Sequence, residues 1–298
     1  GTMDVMAGGH QATRISLSAD WINHHLGIQL PPEEMKRILQ SLQFEVDGDE
    51  VIVPSFRGDV THKADLAEEI ARIYGYHRIP TTTFADSSQG RRTPYQRFQQ
   101  QVGRTLSASG LDEIETYSFI SPKAYDKIGL PRDSVLRESV RIQNPLGEDT
   151  SVLRTTSLPS MLEVLARNYN NRNATAALYE IATNYLPQDG QPLPREPKVI
   201  LLGLYGEGDF YTLKGVVEQL LEVAGVAGAN FRAEGENPSY HPGRCAVLYA
   251  GDTYLGVLGE VHPQVQEAYG IAKEVFAAEL DFEALYAVAR FDRRNHPL

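Results

Sequence analysis

Four acidic residues lie within an eleven-residue stretch of the chain: Asp59, Asp65, Glu68 and Glu69. If a helix begins at Asp65, Glu68 and Glu69 follow it by three and four positions, so these three carboxylates lie near one side of the first turn. Asp59 precedes this helix and can fold over its N-terminus. Magnesium prefers oxygen ligands and is bound by carboxylates. The spacing therefore indicates that the four side chains can converge on one magnesium ion.

The same spacing also has a structural explanation. Asp65 and Glu68 match the D-x-x-E form of a capping box, and the helix dipole favours acidic residues in a first turn. Apolar residues then recur at helical spacing and predict a buried face before Gly75 ends the helix; they are Leu66, Ile70, Ile73 and Tyr74. The residues themselves leave both explanations open.

The acidic helix is the last large element of a module predicted over residues 14–80. A short strand precedes a helix that Ser18 can cap and Gly27 can end, and a second amphipathic helix follows. Asp47 and Gly48 separate two β-rich runs and predict a hairpin with a type I′ turn. Two helices, a hairpin and a third helix are typical of a small winged-helix-like module.

Residues 81–94 are polar, show no periodicity and are predicted to be a linker. In residues 95–298, helical and strand patterns are joined by short turns, which favours a largely antiparallel sheet flanked by helices. The predicted fold class is therefore α+β. Strands are expected at 115–119, 177–186, 199–205, 245–251, 253–261 and 276–282, and helices at 96–109, 158–170, 211–224 and the C-terminal end.

Composition limits the classes of protein to consider. The chain has 298 residues, 42% of them hydrophobic, which is enough for a large core. A net charge of -11 disfavours unaided binding to nucleic acid, which requires clustered Lys and Arg. A single cysteine, Cys245, fits a reducing compartment, so we expect a cytoplasmic protein. No apolar run approaches the roughly 20 residues of a membrane span.

The first residues do not fit the pattern of a folded element. Residues 1–13 are expected to combine an expression scar, Gly-Thr-Met, with a disordered lead-in. Such a scar suggests a piece of a longer protein.

Six stretches of the chain resemble one known family, the β subunits of bacterial phenylalanyl-tRNA synthetase. The helix-turn-helix-like module of that subunit resembles residues 53–80, VPSFRGDVTHKADLAEEIARIYGYHRIP, including the spacing of the acids. Its class II synthetase-like core resembles, in the same order, NPLGEDTSVLRTTSLPSML, LYEIATNYL, FYTLKGVVEQLL, YHPGRCAV and LGVLGEVHPQV. The resemblance implies a winged-helix-like module followed by a synthetase-like core, ending just before an anticodon-binding domain.

The resemblance also implies ligands and partners. In that family, the acids that match Asp59, Asp65, Glu68 and Glu69 are assigned to a magnesium ion shared with the catalytic α subunit. We therefore expect Mg²⁺ as a cofactor that binds weakly, or not at all, without the α subunit. The implied partners are the α subunit, in an α2β2 heterotetramer, and tRNA in the holoenzyme, with no membrane.

The residues do not complete a class II active site, in which arginines hold ATP. The glycine-rich motif that opens a helix and ends in Glu-Arg is not found, and Val261 and His262 stand near the place of that arginine. Arg154 is the remaining candidate, but an arginine at a helix approach is more often structural, and adenylate formation needs several aligned contacts. We expect no catalytic and no cofactor-binding residues, and a structural, non-catalytic part of the β subunit.

Two other function classes stay open. A free-standing winged-helix nucleic-acid-binding protein would need a basic face on the module, whereas its last helix is acidic. A metal-dependent hydrolase would need an open coordination position in a cleft, and the sequence offers no second set of ligands.

Overall fold

The chain folds into two compact units, Gly1–Gln89 and Gly90–Leu298. The structure is a computed structural model that describes residues 1–5, 12–83 and 89–291. Each unit has its own hydrophobic core.

Three predicted segments extend beyond the described residues. The parts that lie outside are residues 6–11 of the predicted lead-in (1–13), residues 84–88 of the predicted linker (81–94) and residues 292–298 of the predicted core (95–298). In the part of the chain that is described, no helix is long and apolar enough to cross a membrane.

The first unit combines three helices with a small antiparallel sheet. Both outer strands pair with the last one, which gives the order β1-β3-β2. Helical spacing places apolar residues such as Ile22, Met35 and Leu66 on one face of each helix, and these faces pack together. The predicted order of helix, helix, hairpin and helix is confirmed. The elements are β1 (Arg14–Ser16), α1 (Ala19–Leu26), α2 (Pro32–Ser41), β2 (Glu45–Asp47), β3 (Glu50–Ile52) and α3 (Lys63–Tyr74).

Two local details of this unit differ from the prediction. Ser18 occupies the N-cap position of α1, but its side chain makes no capping hydrogen bond. In the hairpin loop formed by Gly48 and Asp49, Gly48 has a φ of 61° and Asp49 is not at positive φ. A type I′ turn needs positive φ at both loop residues, so this loop has the pattern of a type II′ turn.

The described part of the second unit contains a seven-stranded sheet with helices on both faces. Its elements are α4 (Pro94–Ala108), β4 (Asp112–Glu113), β5 (Phe119–Ile120), α5 (Ala124–Lys127), β6 (Val152–Leu153), α6 (Leu158–Asn170), β7 (Ala176–Thr183), β8 (Lys198–Tyr205), α7 (Phe210–Val223), β9 (Ala229–Ala233), β10 (Tyr240–Ala250), β11 (Thr253–Val261), α8 (Pro263–Ala268), β12 (Val275–Asp281) and α9 (Phe282–Val288).

The order of this sheet is β4-β7-β8-β12-β11-β10-β9, and every neighbouring pair except β4 and β7 is antiparallel. Side chains of β8 alternate between two cores. Ile200, Leu202 and Leu204 pack with α4, α7 and α9, whereas Leu201 and Tyr205 pack on the side of α6. A strand buried on both faces is apolar throughout, as β8 is. The predicted α+β fold, with a largely antiparallel sheet flanked by helices, is confirmed.

One predicted strand of this unit is wrong. Residues 115–119 do not form a strand, apart from Phe119 in the two-residue β5. The backbone N–H of Thr116 donates instead to the Glu180 side chain at 3.1 Å. A side chain thus satisfies a backbone group that a strand would have paired with its neighbour. The edge strand β9 was not predicted, because its exposed, mixed sequence has no clear alternation.

Candidate functional site

The four predicted metal ligands lie at and around the N-terminus of α3. The helix begins at Lys63, two residues earlier than predicted, with His62 at the N-cap. Asp65 is therefore its third residue, and Oδ2 of Asp65 accepts from the backbone N–H groups of Thr61 and His62 at 2.7 and 3.0 Å. These backbone hydrogen bonds lower the pKa of Asp65. The capping box thus joins Asp65 to His62, and the predicted pairing of Asp65 with Glu68 is wrong.

Arg57 brings two of the four acids together. Its Nε and Nη2 donate to Asp59 at 3.0 and 2.7 Å, and its Nη1 and Nη2 each donate to Glu69 at 2.9 Å. Glu69 is 5% exposed and also accepts from Nη2 of Arg72 at 2.6 Å. The hydrogen bonds from Arg57 are the main cause that lowers the pKa of Asp59 and of Glu69. Two arginines therefore neutralise this part of the cluster.

Glu68 differs from the other three acids. It is exposed, and its side chain makes no hydrogen bond or ion pair with any described residue. In the described part of the chain, no group of three or more His, Cys, Asp or Glu side chains is arranged to hold a metal ion. Magnesium needs several oxygen ligands at once, but Asp59 and Glu69 face Arg57, and Asp65 faces backbone N–H groups. This arrangement alone does not fit a bound magnesium ion, and the magnesium site stays a prediction.

Neither Arg57 nor Arg72 is among the residues predicted from the sequence. Arg72 follows Glu69 by three positions on α3, a spacing at which helical side chains meet, so a local signal for this pair exists. Arg57 is separated from Glu69 by twelve positions and lies outside the helix. No local pattern predicts that contact.

Arg154, the candidate from the second unit, is 2% exposed and engaged on every side. Its Nη2 donates to Glu180 at 3.3 Å, its Nη1 to the Thr116 hydroxyl at 2.6 Å and its Nε to the Thr183 carbonyl at 3.1 Å. Glu180 is 5% exposed and accepts from the same Thr116 hydroxyl at 2.7 Å. Arg154 holds residues 115–119 against β7, and these are the contacts of a structural residue.

The resemblance implies that a class II motif arginine would lie near Val261 and His262, which the structure places at the junction of β11 and α8. His262 is the N-cap of α8, and its Nδ1 accepts from the backbone N–H of Gln264 at 3.2 Å. Pro263 follows at the first helical position, where its fixed φ is favourable. The residues at this junction therefore start a helix, and neither His262 nor Pro263 supplies a guanidinium.

Two protein-family models match consecutive parts of the chain. Residues 15–76 match the tRNA synthetase B5 domain. Residues 79–282 match the phenylalanyl tRNA synthetase beta chain CLM domain. The two matches follow one another along the chain and cover most of it.

Relatives with the name phenylalanine–tRNA ligase beta subunit match the whole chain. The subunit of Clostridium acetobutylicum is 45% identical over 306 residues, and that of Clostridium tetani is 41% identical over 304 residues. Each alignment covers 100% of this chain but 38% of the relative. The chain thus spans well under half the length of the relatives it matches.

A solved structure is similar in fold. Pyrrolysyl-tRNA synthetase from Desulfitobacterium hafniense, a class II synthetase, aligns with a TM-score of 0.54 at 19% identity, covering 65% of this chain and 68% of that one. At this identity the likeness shows the fold alone, that of a class II synthetase core. Together with the two family models, the matches show that the chain belongs to the family of phenylalanyl-tRNA synthetase β chains.

Proposed function

We propose that this chain is the central, non-catalytic part of the β subunit of a phenylalanine–tRNA ligase and that it supports assembly with the catalytic α subunit. The observation that carries this proposal is the consecutive match of both units to B5 and CLM domains. The names of the relatives support the assignment to the β subunit of such a ligase. Neither matching family model is that of a free-standing nucleic-acid-binding protein.

The two candidate places for an ATP-binding arginine support the non-catalytic part of this proposal. Arg154 is committed to Glu180, Thr116 and Thr183, and His262 and Pro263 begin α8. Stabilising the charge that develops during adenylate formation takes several preorganised groups. In the holoenzyme, phenylalanine and ATP would therefore react on the α subunit.

The purified chain alone is expected not to activate phenylalanine. The measurement is phenylalanine-dependent exchange of pyrophosphate into ATP, with the α and β subunits of a related ligase as the positive control. The Arg154→Lys variant controls for contaminating synthetase, because the exchange rate of a contaminant would not change when this chain is mutated. Exchange by the chain that persists after repurification and falls in the variant would contradict the proposal.

We further propose a cytoplasmic α2β2 assembly that contacts tRNA, with a magnesium ion at Asp59, Asp65, Glu68 and Glu69 only when the α subunit contributes ligands. For the ion to bind, Asp59 and Glu69 would have to exchange Arg57 for the metal. Magnesium gives up its waters reluctantly and demands octahedral geometry, so the chain alone should bind it weakly.

Magnesium binding by the chain alone is therefore expected to be in the millimolar range or absent. Isothermal titration calorimetry measures it, and Glu68→Gln serves as the matched variant because Glu68 is exposed and its side chain has no partner among the described residues. A micromolar site that weakens in Glu68→Gln would show that the carboxylates form a metal site without a second subunit.

A further inference from the structure

A cavity of about 250 Å³ lies in the second unit, on the sheet face that packs against α6. Apolar side chains such as Leu136, Leu158 and Val257 form much of its wall, and Tyr240 and Glu279 line it as well. In another protein, a cavity of about 150 Å³ accommodates benzene. This cavity is therefore large enough for a small organic molecule, and it has polar groups that can orient one.

Tyr240 brings an unused polar group to this cavity. Its side chain is 2% exposed, and its hydroxyl makes no hydrogen bond with any described residue. Burial, and then the charge of Glu279, raises the pKa of Tyr240 well above its ordinary range, so the phenol stays neutral. A buried hydroxyl without a partner is unfavourable, and a polar ligand in the cavity would relieve that.

Glu279 is held in a fixed orientation at the same cavity. Its Oε2 accepts from the Thr156 hydroxyl at 2.9 Å, and its Oε1 accepts from Nδ2 of Asn184 at 3.2 Å. Asn184 is itself fixed, since the Ser157 hydroxyl donates to its Oδ1 at 2.6 Å. Burial raises the pKa of Glu279. The backbone N–H of Ser157 donates to this carboxyl group as well. A carboxylate has about four acceptor sites, so capacity is left for a ligand.

The charge of the cavity wall determines which ligand fits. Asp281 is a second carboxylate in the wall, and none of the lining residues in the described part of the chain is Lys, Arg or His. Arg154 lowers the pKa of Glu279 by its charge, but its own nitrogens bind Glu180 and other neighbours. A buried carboxylate is stable when a cation pairs with it, and the wall does not supply one.

We propose that this cavity binds a small primary ammonium compound with a short alkyl chain and no carboxylate. The ammonium group donates to the Glu279 carboxylate and to the hydroxyl oxygen of Tyr240, while the alkyl chain contacts Leu136, Leu158 and Val257. A ligand carboxylate would meet Glu279 and Asp281 without a basic residue to receive it, so zwitterionic amino acids are excluded.

Calorimetric titration of the 298-residue chain tests the proposal with three probes of the same carbon skeleton. These are isopentylamine, the neutral 3-methylbutan-1-ol and the anionic 3-methylbutanoate. Isopentylamine is expected to bind with a Kd of about 1 mM, in keeping with the affinity of so small a ligand. The alcohol should bind at least about tenfold more weakly, and the carboxylate should not bind.

Three variants locate the binding site. Glu279→Gln should weaken isopentylamine binding about tenfold or more, because a charged hydrogen bond becomes a neutral one. Tyr240→Phe should weaken isopentylamine binding severalfold without lowering the Tm of the free protein. If the hydroxyl had only a structural role, its removal would lower the Tm. Tyr269→Phe is the control, since the Tyr269 hydroxyl is also buried without a partner among the described residues but Tyr269 does not line this cavity.

Several results would overturn the proposal. A titration with isopentylamine that gives no saturable heat would be one of them. Equal affinities of the alcohol and the amine would be another, because they would show that only the filling of an apolar space is measured. Unchanged affinity in both Glu279→Gln and Tyr240→Phe would place the binding elsewhere. An equal loss in Tyr269→Phe would show a general effect of removing a buried hydroxyl.

Discussion

Replacing Arg154 by methionine is expected to destabilise the second unit by about 3 to 5 kcal/mol. The substitution keeps much of the apolar length but removes the guanidinium, which leaves the Glu180 carboxylate buried without its cation. It also frees the Thr116 hydroxyl and the Thr183 carbonyl from their donor. Urea unfolding followed by far-UV circular dichroism measures the loss.

Two further variants make this test specific. Arg141→Met removes an exposed arginine and should change stability by no more than about 0.5 kcal/mol. The double variant Arg154→Met with Glu180→Met should be more stable than Arg154→Met alone, because no unpaired charge is then buried. If Arg154→Met costs no more than Arg141→Met, the buried pair does not hold residues 115–119 in place.

Replacing Arg57 by methionine is expected to destabilise the first unit by about 2 to 3 kcal/mol. Glu69, which is 5% exposed, would keep only its contact with the half-exposed Arg72, and Asp59 would lose its partner. Trp21, the single tryptophan, lies in this unit and stacks on His25, so its fluorescence reports unfolding there.

The matched control in the same unit is Arg14→Met. Arg14 pairs with Glu50 at 3.2 Å, but both side chains are more than half exposed, and such surface pairs contribute about 0 to 1 kcal/mol. If Arg57→Met and Arg14→Met lower the free energy of unfolding equally, Arg57 does not stabilise the first unit by neutralising Asp59 and Glu69.

The pH dependence of stability should reveal the pairing of Arg57 with Glu69 and Asp59. The pKa values of Glu69 and Asp59 are lowered mainly by Arg57, so their contribution to stability is present above the unfolded pKa, about 4 for carboxyl groups. It is lost as the pH falls through the folded pKa. The stability difference between the native chain and Arg57→Met should therefore shrink below about pH 4. A constant difference on acidification would show that these carboxylates do not depend on Arg57.

Elements with strong periodicity could be predicted from the sequence. Helix α6 and strand β11 have the predicted bounds, because the first carries an apolar face at helical spacing and the second is a β-rich run ended by turn residues. Residues 115–119 look like a strand locally, but their partners are side chains from 154 and 180, distant in sequence. Long-range side-chain contacts of this kind override local propensity.

The candidate site was predictable only in part. The acidic cluster at Asp59, Asp65, Glu68 and Glu69 is visible in the sequence. The contact by which Arg57 neutralises Glu69 is not, because the two residues are joined across a turn and a helix end. The start of α3 was misplaced since His62 is not among the preferred N-cap residues. The cavity lined by Tyr240 and Glu279 depends on packing of distant elements and has no signature in the sequence.

Association with the α subunit tests the central claim most directly. The chain would be co-expressed with the α subunit of the Clostridium acetobutylicum ligase, whose β subunit is 45% identical to it, and the products separated by size-exclusion chromatography with light scattering. A scaffold for assembly should elute with the α subunit, at a mass well above the 33.1 kDa of the chain alone. Elution of the folded chain at its own mass, free of α subunit, would contradict the account.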